Sequence, residues 1–252
     1  MSLFARLATP VQVVLTLFMY VEIALAAGLA MTPAVYGALT VYGWVAAQGW
    51  PDILRVMAGC VLAALAYFGY ALTVIFVAPL FRVLAPGTPE GRYPYYSFKA
   101  LQWASYNALI LLVRYTCINF LRVTPFIRLF HRLMGMKIGH RVQINTAVIG
   151  DSNLIEIGDD TVVGGDVTLV AHSAERGELV TARVRIGRRV TLGLMSIILP
   201  GCEIGDGAVL AANAVLQKGT KVGPGEIWGG VPARKIGERG KAGAELADGG
   251  AP

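Results

Sequence analysis

Charge is scarce in this sequence: Asp, Glu, Lys and Arg make up 15% of its 252 residues, against 55% hydrophobic residues. That ratio excludes an ordinary soluble globular domain. Acidic residues are scarcest in the first half, where residues 1–137 hold only Glu22, Asp52 and Glu90 beside ten Lys or Arg, so the net charge of +6 lies wholly there. Histidine and cysteine occur three times each. Cys60, Cys117 and Cys202 are far apart and read as buried small hydrophobes rather than as ligands or nucleophiles. No cleavable leader is evident, because the first apolar run is long and leads straight into another.

What is abundant is apolar sequence in long runs. Val11 to Ala30 is interrupted only by Gln12 and Glu22 and is long enough to cross a bilayer core. Ala34 to Ala47 is shorter, Val56 to Leu84 is broken by Pro79 and Arg82, and Trp103 to Leu121 carries Arg114. Two spans are expected if the second and fourth runs lie in the interface, four if all cross. Arg82 near the end of the third run, and Arg92, Lys99, Arg114, Arg122, Arg128 and Arg132 after it, make an enrichment that marks the cytoplasmic side. They alternate with aromatics and aliphatics beside the spans, which argues for a membrane surface and against a nucleic-acid partner. The chain thus reads as an integral protein of a bacterial inner membrane, with its second half in the cytoplasm.

The second half keeps a different period. Ile186, Leu192, Ile198, Ile204, Leu210, Leu216, Val222 and Trp228 recur every six residues, which neither a helix nor an ordinary strand can use. Four residues after the first six of these comes a small or β-branched one: Val190, Ser196, Cys202, Ala208, Ala214 and Thr220. Gly187, Gly193, Gly205, Gly223 and Gly229 follow the large residues, where a tight corner calls for positive φ and close backbone approach. The same phase appears upstream at Ile138, Ile157 and Val163. It slips twice, between Ile144 and Ile157 and between Leu169 and Ile186, and the second slip holds the polar stretch Ser173 to Arg183, read as an extruded loop.

This pattern resembles the hexapeptide-repeat acyltransferases. The resemblance implies a left-handed parallel β-helix with three hexapeptides per coil and, as is typical of that family, a homotrimer. The fold class is then a membrane α-helical N-terminal half followed by an all-β solenoid, with boundaries at 1–97 (membrane-spanning region), 98–134 (basic amphipathic connector), 135–237 (β-helix) and 238–252 (disordered tail). The layout of membrane runs, the connector containing RYPYYSFKALQW, and RLMGMKIG before the coils also resembles the membrane-embedded C-terminal portion of poly-lysine synthetases.

By position in the motif, immediately before the extruded loop, the resemblance makes His172 the catalytic base, and imidazole suits proton removal from an attacking hydroxyl or amine. His131 and His140 read as structural or interfacial. The resemblance also assigns a thioester donor, acetyl-CoA or another acyl-CoA, or an acyl or aminoacyl carrier protein. Gly193, Leu194, Ala211 and Ala212 would line its groove, and Lys218, Arg234 and Lys235 would meet phosphates. Leu194 and Met195 replace the two small residues many members carry, which bears on the acyl end of the groove. No metal is implied: a γ-type carbonic anhydrase needs three imidazoles around zinc, which His172 alone does not supply. The expected function is acyl transfer to a hydroxyl or amine near the membrane lipid. A non-catalytic scaffold, and aminoacyl transfer from a carrier protein, are the alternatives.

Overall fold

The computed structural model describes residues 3–239, so the expected tail falls almost wholly outside the described residues. The chain divides into two compact units, one of the residues up to Ala85 with Ala108–Ile118, the other of Pro86–Asn107 with the residues from Asn119. Residues 86–97, placed with the membrane region from sequence, therefore belong with the coils. The helix α3 (Phe98–Thr116) contributes to both units.

In the helical unit, α1 (Leu3–Ala47) and α2 (Asp52–Leu80) carry the apolar runs. The first two runs, expected as separate segments, form one continuous helix through Pro33, about 67 Å long at 1.5 Å per residue. Among the described residues, Gln12–Ala47 and Asp52–Val83 are long and apolar enough to cross a membrane. Small residues are frequent among the buried positions of α1 and α2, with Ala26, Ala30, Ala71 and Ala78 beside Val74 and Ile75, and a Cβ on Gly69 would lie 2.9 Å from Ala34 Cβ. Such close approach is how helices associate when no hydrophobic effect separates them from their solvent. Cys117 is buried, whereas Cys60 is exposed on α2 and not buried as expected.

The other unit is a parallel β-helix. Ile138, Ile157, Ile186, Ile204 and Val222 stand in register on one face. Ile144, Val163, Leu192, Leu210 and Trp228 form the second, and Leu169, Ile198 and Leu216 the third. Eighteen residues thus make a coil, three hexapeptides as expected. Both periodic columns point inward: Ile198, Leu216, Val190, Ser196, Cys202, Ala208 and Ala214 are all 0% exposed.

The corner glycines have a different cause from the one expected. None of Gly187, Gly193, Gly205, Gly223 or Gly229 has positive φ; that conformation falls instead at Arg189, Met195, Gly201, Gly207, Asn213, Gly219 and Gly225, again every six residues. The glycines are required by stacking, since a Cβ on Gly193 would lie 2.5 Å from Ala212 N and one on Gly205 2.6 Å from Pro224 N.

A solenoid leaves unpaired backbone at each end. At the first coil the helix Pro125–Leu133 covers it, burying Ile127, Phe130 and His131 while Arg128 donates to Val142 O (3.0 Å) and Arg132 to Ile138 O (2.8 Å) and Gly139 O (2.9 Å). At the last, Arg234–Glu238 folds back antiparallel on Glu226–Gly229. The extruded loop is itself ordered: His172–Glu175 and Glu178–Thr181 form an antiparallel hairpin, joined by Gly91–Pro94 as a third strand.

His131 is fully buried with Nδ1 2.9 Å from Ser152 Oγ, and burial pushes its pKa down to about 3. A folded pKa below the unfolded one means that stability is lost as pH falls below the unfolded value near 6.5. Between pH 7 and pH 5 the loss attributable to this group is roughly 2 kcal/mol. Urea titrations of the full chain in detergent should show a His131→Gln variant losing about that much less over this interval than the wild type. Equal pH dependence in the two proteins would refute the assignment.

Candidate active site

The two register slips meet. Ile149 bridges Leu169 in parallel, so two residues further along Asp151, in the first slip, faces Ala171 and His172 at the start of the second. His172 Nδ1 lies 2.6 Å from Asp151 Oδ2, which also accepts from Ala171 N at 3.0 Å. The other oxygen accepts from Trp103 Nε1 at 2.7 Å and from Asn107 Nδ2 at 3.0 Å. Two donors per oxygen use the whole acceptor capacity of a carboxylate.

Asp151 is fully buried, and its own position is constrained. It stands at φ 51, ahead of the short turn Ser152–Leu154. Its N–H donates to Asn107 Oδ1 at 3.0 Å, so Asn107 grips both its backbone and its carboxylate. The next residues are held as well, Ser152 by His131 and Asn153 by Tyr106 Oη (3.0 Å) and Thr88 O (2.9 Å). Trp103 and Asn107 are four apart on α3 and share a face. The Trp103 indole also meets the His172 ring edge to face, with centroids 4.7 Å apart.

Burial is the largest influence on the Asp151 carboxyl and works against ionisation. The His172 hydrogen bond and charge, with those from Trp103 and Asn107, outweigh it and hold the group below the usual carboxylate range. An ionised carboxylate only accepts, so Nδ1 of His172 carries the hydrogen and the lone pair of a neutral ring lies on Nε2. His172 is partly exposed, its side chain at 31%. The arrangement is a base with a fixed tautomer, able to take a proton from a group outside the coil.

The structure divides the residues expected to bind a donor. Gly193, Leu194, Ala211 and Ala212 lie together at the corner between the second and third faces, where Leu194 and Met195 are 52% and 54% exposed. Arg234 is opposite Gly229 in register, at the same end of the second face; it is exposed, and its guanidinium donates to Ala233 O at 2.9 Å. Lys218 lies at a different corner, after the third face, and pairs with Glu175 of the hairpin at 2.6 Å. Lys235 is held between Glu226 (2.9 Å) and Glu238 (2.6 Å). Sequence reasoning proposed His172 and did not single out Asp151, Trp103 or Asn107, which the structure places against it. The signal available for Asp151 was an Asp after Gly150 inside the first slip.

The description "Hexapeptide repeat of succinyl-transferase" matches residues 183–218. A putative acetyltransferase of Bacillus subtilis, YvoF, is 35% identical over 126 residues, covering 47% of this chain and 72% of the relative. The delta-poly-L-ornithine synthetase of Acinetobacter baumannii is 28% identical over 162 residues, 62% of this chain but only 12% of that protein. A galactoside acetyltransferase solved in complex with coenzyme A is 28% identical, with a TM-score of 0.39, covering 44% of this chain and 58% of that one. With its six-residue repeat and a relative matched over most of its length, the chain belongs to the hexapeptide-repeat acyltransferases.

Proposed function

We propose that this protein is a membrane-bound acyltransferase that moves an acetyl group from coenzyme A to a hydroxyl or amine of a membrane-proximal acceptor, such as an envelope saccharide or lipid precursor. The observation that carries the reading is the 2.6 Å contact between His172 and a buried, fully committed Asp151. In this mechanism Nε2 of His172 removes the acceptor's proton as its oxygen or nitrogen attacks the thioester carbonyl. The tetrahedral intermediate then collapses, the C–S bond breaks, and the imidazolium returns the proton to the departing thiolate. Asp151 stabilises the imidazolium and fixes the ring's orientation; it does not itself transfer the proton.

For the donor, the corner at Gly193, Leu194, Ala211 and Ala212 takes the acyl and pantetheine arm, and Arg234 is the cation for phosphate. Lys218 and Lys235, each already paired with carboxylate, have the lesser part. Membrane attachment is supported by the two long apolar helices, and the basic residues before the coils support a cytoplasmic β-helix. A homotrimer is part of the same reading.

One observation favours a second acceptor chemistry. The 162-residue match to the poly-ornithine synthetase is longer than the coil region from Lys137 to Glu238, so it reaches into the helical half. Amide formation with an amine acceptor, from an aminoacyl carrier-protein thioester, is the form the reaction takes in that case.

Replacing His172 by Ala should lower kcat by about 10²- to 10⁴-fold with the donor's Kd unchanged, since only proton transfer is removed. Near wild-type turnover on a competent acceptor would sink the proposal. Asp151→Asn places an amide where four donors converge and leaves the tautomer unfixed, so a fall of similar size is expected. The double variant should be little slower than either single one, because base and orienter act as a unit. Additive losses measured in the same steady-state assay would count against coupling.

A further inference from the structure

The helix Pro125–Leu133 buries three side chains, Ile127, Phe130 and His131, and of these only His131 is polar. Its place there is costly. The ring is fully enclosed and held neutral by burial; Nδ1 lies 2.9 Å from Ser152 Oγ, and Nε2 has no hydrogen-bond partner among the described residues. Burying an imidazole with one nitrogen unpaired is less favourable than burying an apolar side chain of similar volume. A position whose only task was to close the end of the coil stack would be better served by Met or Leu.

What His131 bonds is the residue after Asp151. Asp151 stands at φ 51, a left-handed backbone that a residue other than glycine keeps only where its surroundings over-determine it. Asn107 holds Asp151 itself, at its N–H and at one carboxylate oxygen. The turn that follows is held by the helix Pro125–Leu133. Ser152, fully buried, is bonded to His131 on that helix. Tyr106 Oη accepts from Asn153 N at 3.0 Å and donates to the carbonyl of Met134, the residue that caps the same helix. The backbone that aims the carboxylate at His172 is thus clamped to one helix at two successive residues, and every group involved lies within one compact unit.

We infer that His131 is a positioning residue of the acyl-transfer site, acting through Ser152 on Asp151 and so on the ring of His172. The inference rests on the acyltransferase reading for what the site does, and on the geometry of the turn for the part His131 has in it. The path is short: 2.9 Å from His131 Nδ1 to Ser152 Oγ, one peptide step back to Asp151, and 2.6 Å from its Oδ2 to His172 Nδ1. His131 is 0% exposed, so it meets no substrate. Without its bond to Ser152, Asp151 keeps its donors but loses one of the contacts that hold its left-handed backbone, and the carboxylate drifts from the line to Nδ1. A displacement of about 1 Å at a reacting group costs on the order of 10²-fold in rate.

The test replaces both partners by apolar groups, His131→Met together with Ser152→Ala, in the full chain in detergent. That change strands no polar atom, so the urea midpoint at pH 7 should equal or exceed that of the wild type. Turnover of acetyl-CoA with an envelope lipid extract as acceptor should nevertheless fall about 10- to 100-fold in kcat, with the Kd for acetyl-CoA unchanged. His131→Asn alone sets an amide near the place of Nδ1 and leaves a cavity beside it, so it should restore most of the turnover while lowering the midpoint. Activity and stability then move in opposite directions, as they do not when a residue only supports the fold. Ser152→Ala alone guards against a double variant that does not fold. A second readout needs no acceptor: the chain has three histidines, so 15N-histidine labelling and solid-state NMR at pH 8 report the tautomer of His172 directly. The Nδ1–H form alone is expected in the wild type and in His131→Asn, and a mixture in Ser152→Ala and the double variant. Wild-type kcat in the double variant, losses of kcat that follow the urea midpoints across the three variants, or an unmixed tautomer in Ser152→Ala each overturn the proposal. Absence of any transfer by the wild type would sink the acyltransferase reading, and the tautomer comparison would then decide the positioning role by itself.

Discussion

One buried carboxylate with no acceptor capacity left over is the constraint around which the site is arranged. Asp151 receives two donors from α3, one from the coil backbone and one from His172. Withdrawal of any of them leaves the charge of a fully buried group incompletely solvated, and a hydrogen bond to a charged group is worth about 1.5–3 kcal/mol. The left-handed backbone at Asp151 adds its own demand, answered by Asn107. The coil does not complete its site alone: the helix beside it must be docked before the imidazole is held.

The solenoid was legible because geometry forces it into the sequence. Each corner repeats every six residues, so steric requirements recur in fixed columns, and both inward columns read correctly. What did not come through was which steric requirement each column met. Gly193 and its equivalents are glycine because the next coil passes over them, and positive φ falls two residues later, where residues as different as Arg189, Met195 and Asn213 accept it. A column of glycines looks the same under either cause.

The site was legible only where it coincided with a break in the period. His172 marks the second slip; Asp151 sits in the first, and nothing local announces that the two breaks share a corner. Trp103 and Asn107 were hidden because their stretch is apolar enough to read as membrane sequence, while its first half packs with the coils. The partners of the charges were invisible in one dimension for a related reason. Arg128 and Arg132, counted as markers of membrane orientation, reach carbonyls of the first coil, and Lys218 and Lys235 have carboxylates beside them. Similarly, the polar break at Thr32 and Pro33 separates two runs in the sequence without ending α1, where Thr32 Oγ1 turns back to Gly28 O at 2.8 Å.

The two covered ends of the coil stack have a consequence for assembly. A solenoid of nearly identical coils is by nature a segment of a filament, because the last coil of one molecule offers the same ladder as the first coil of the next expects. Here arginines occupy the carbonyls at one terminus and a strand running the opposite way closes the other. Addition of a further coil is thereby obstructed where these groups lie, at Ile138 and Gly139 of the first coil and along Glu226–Gly229 of the last.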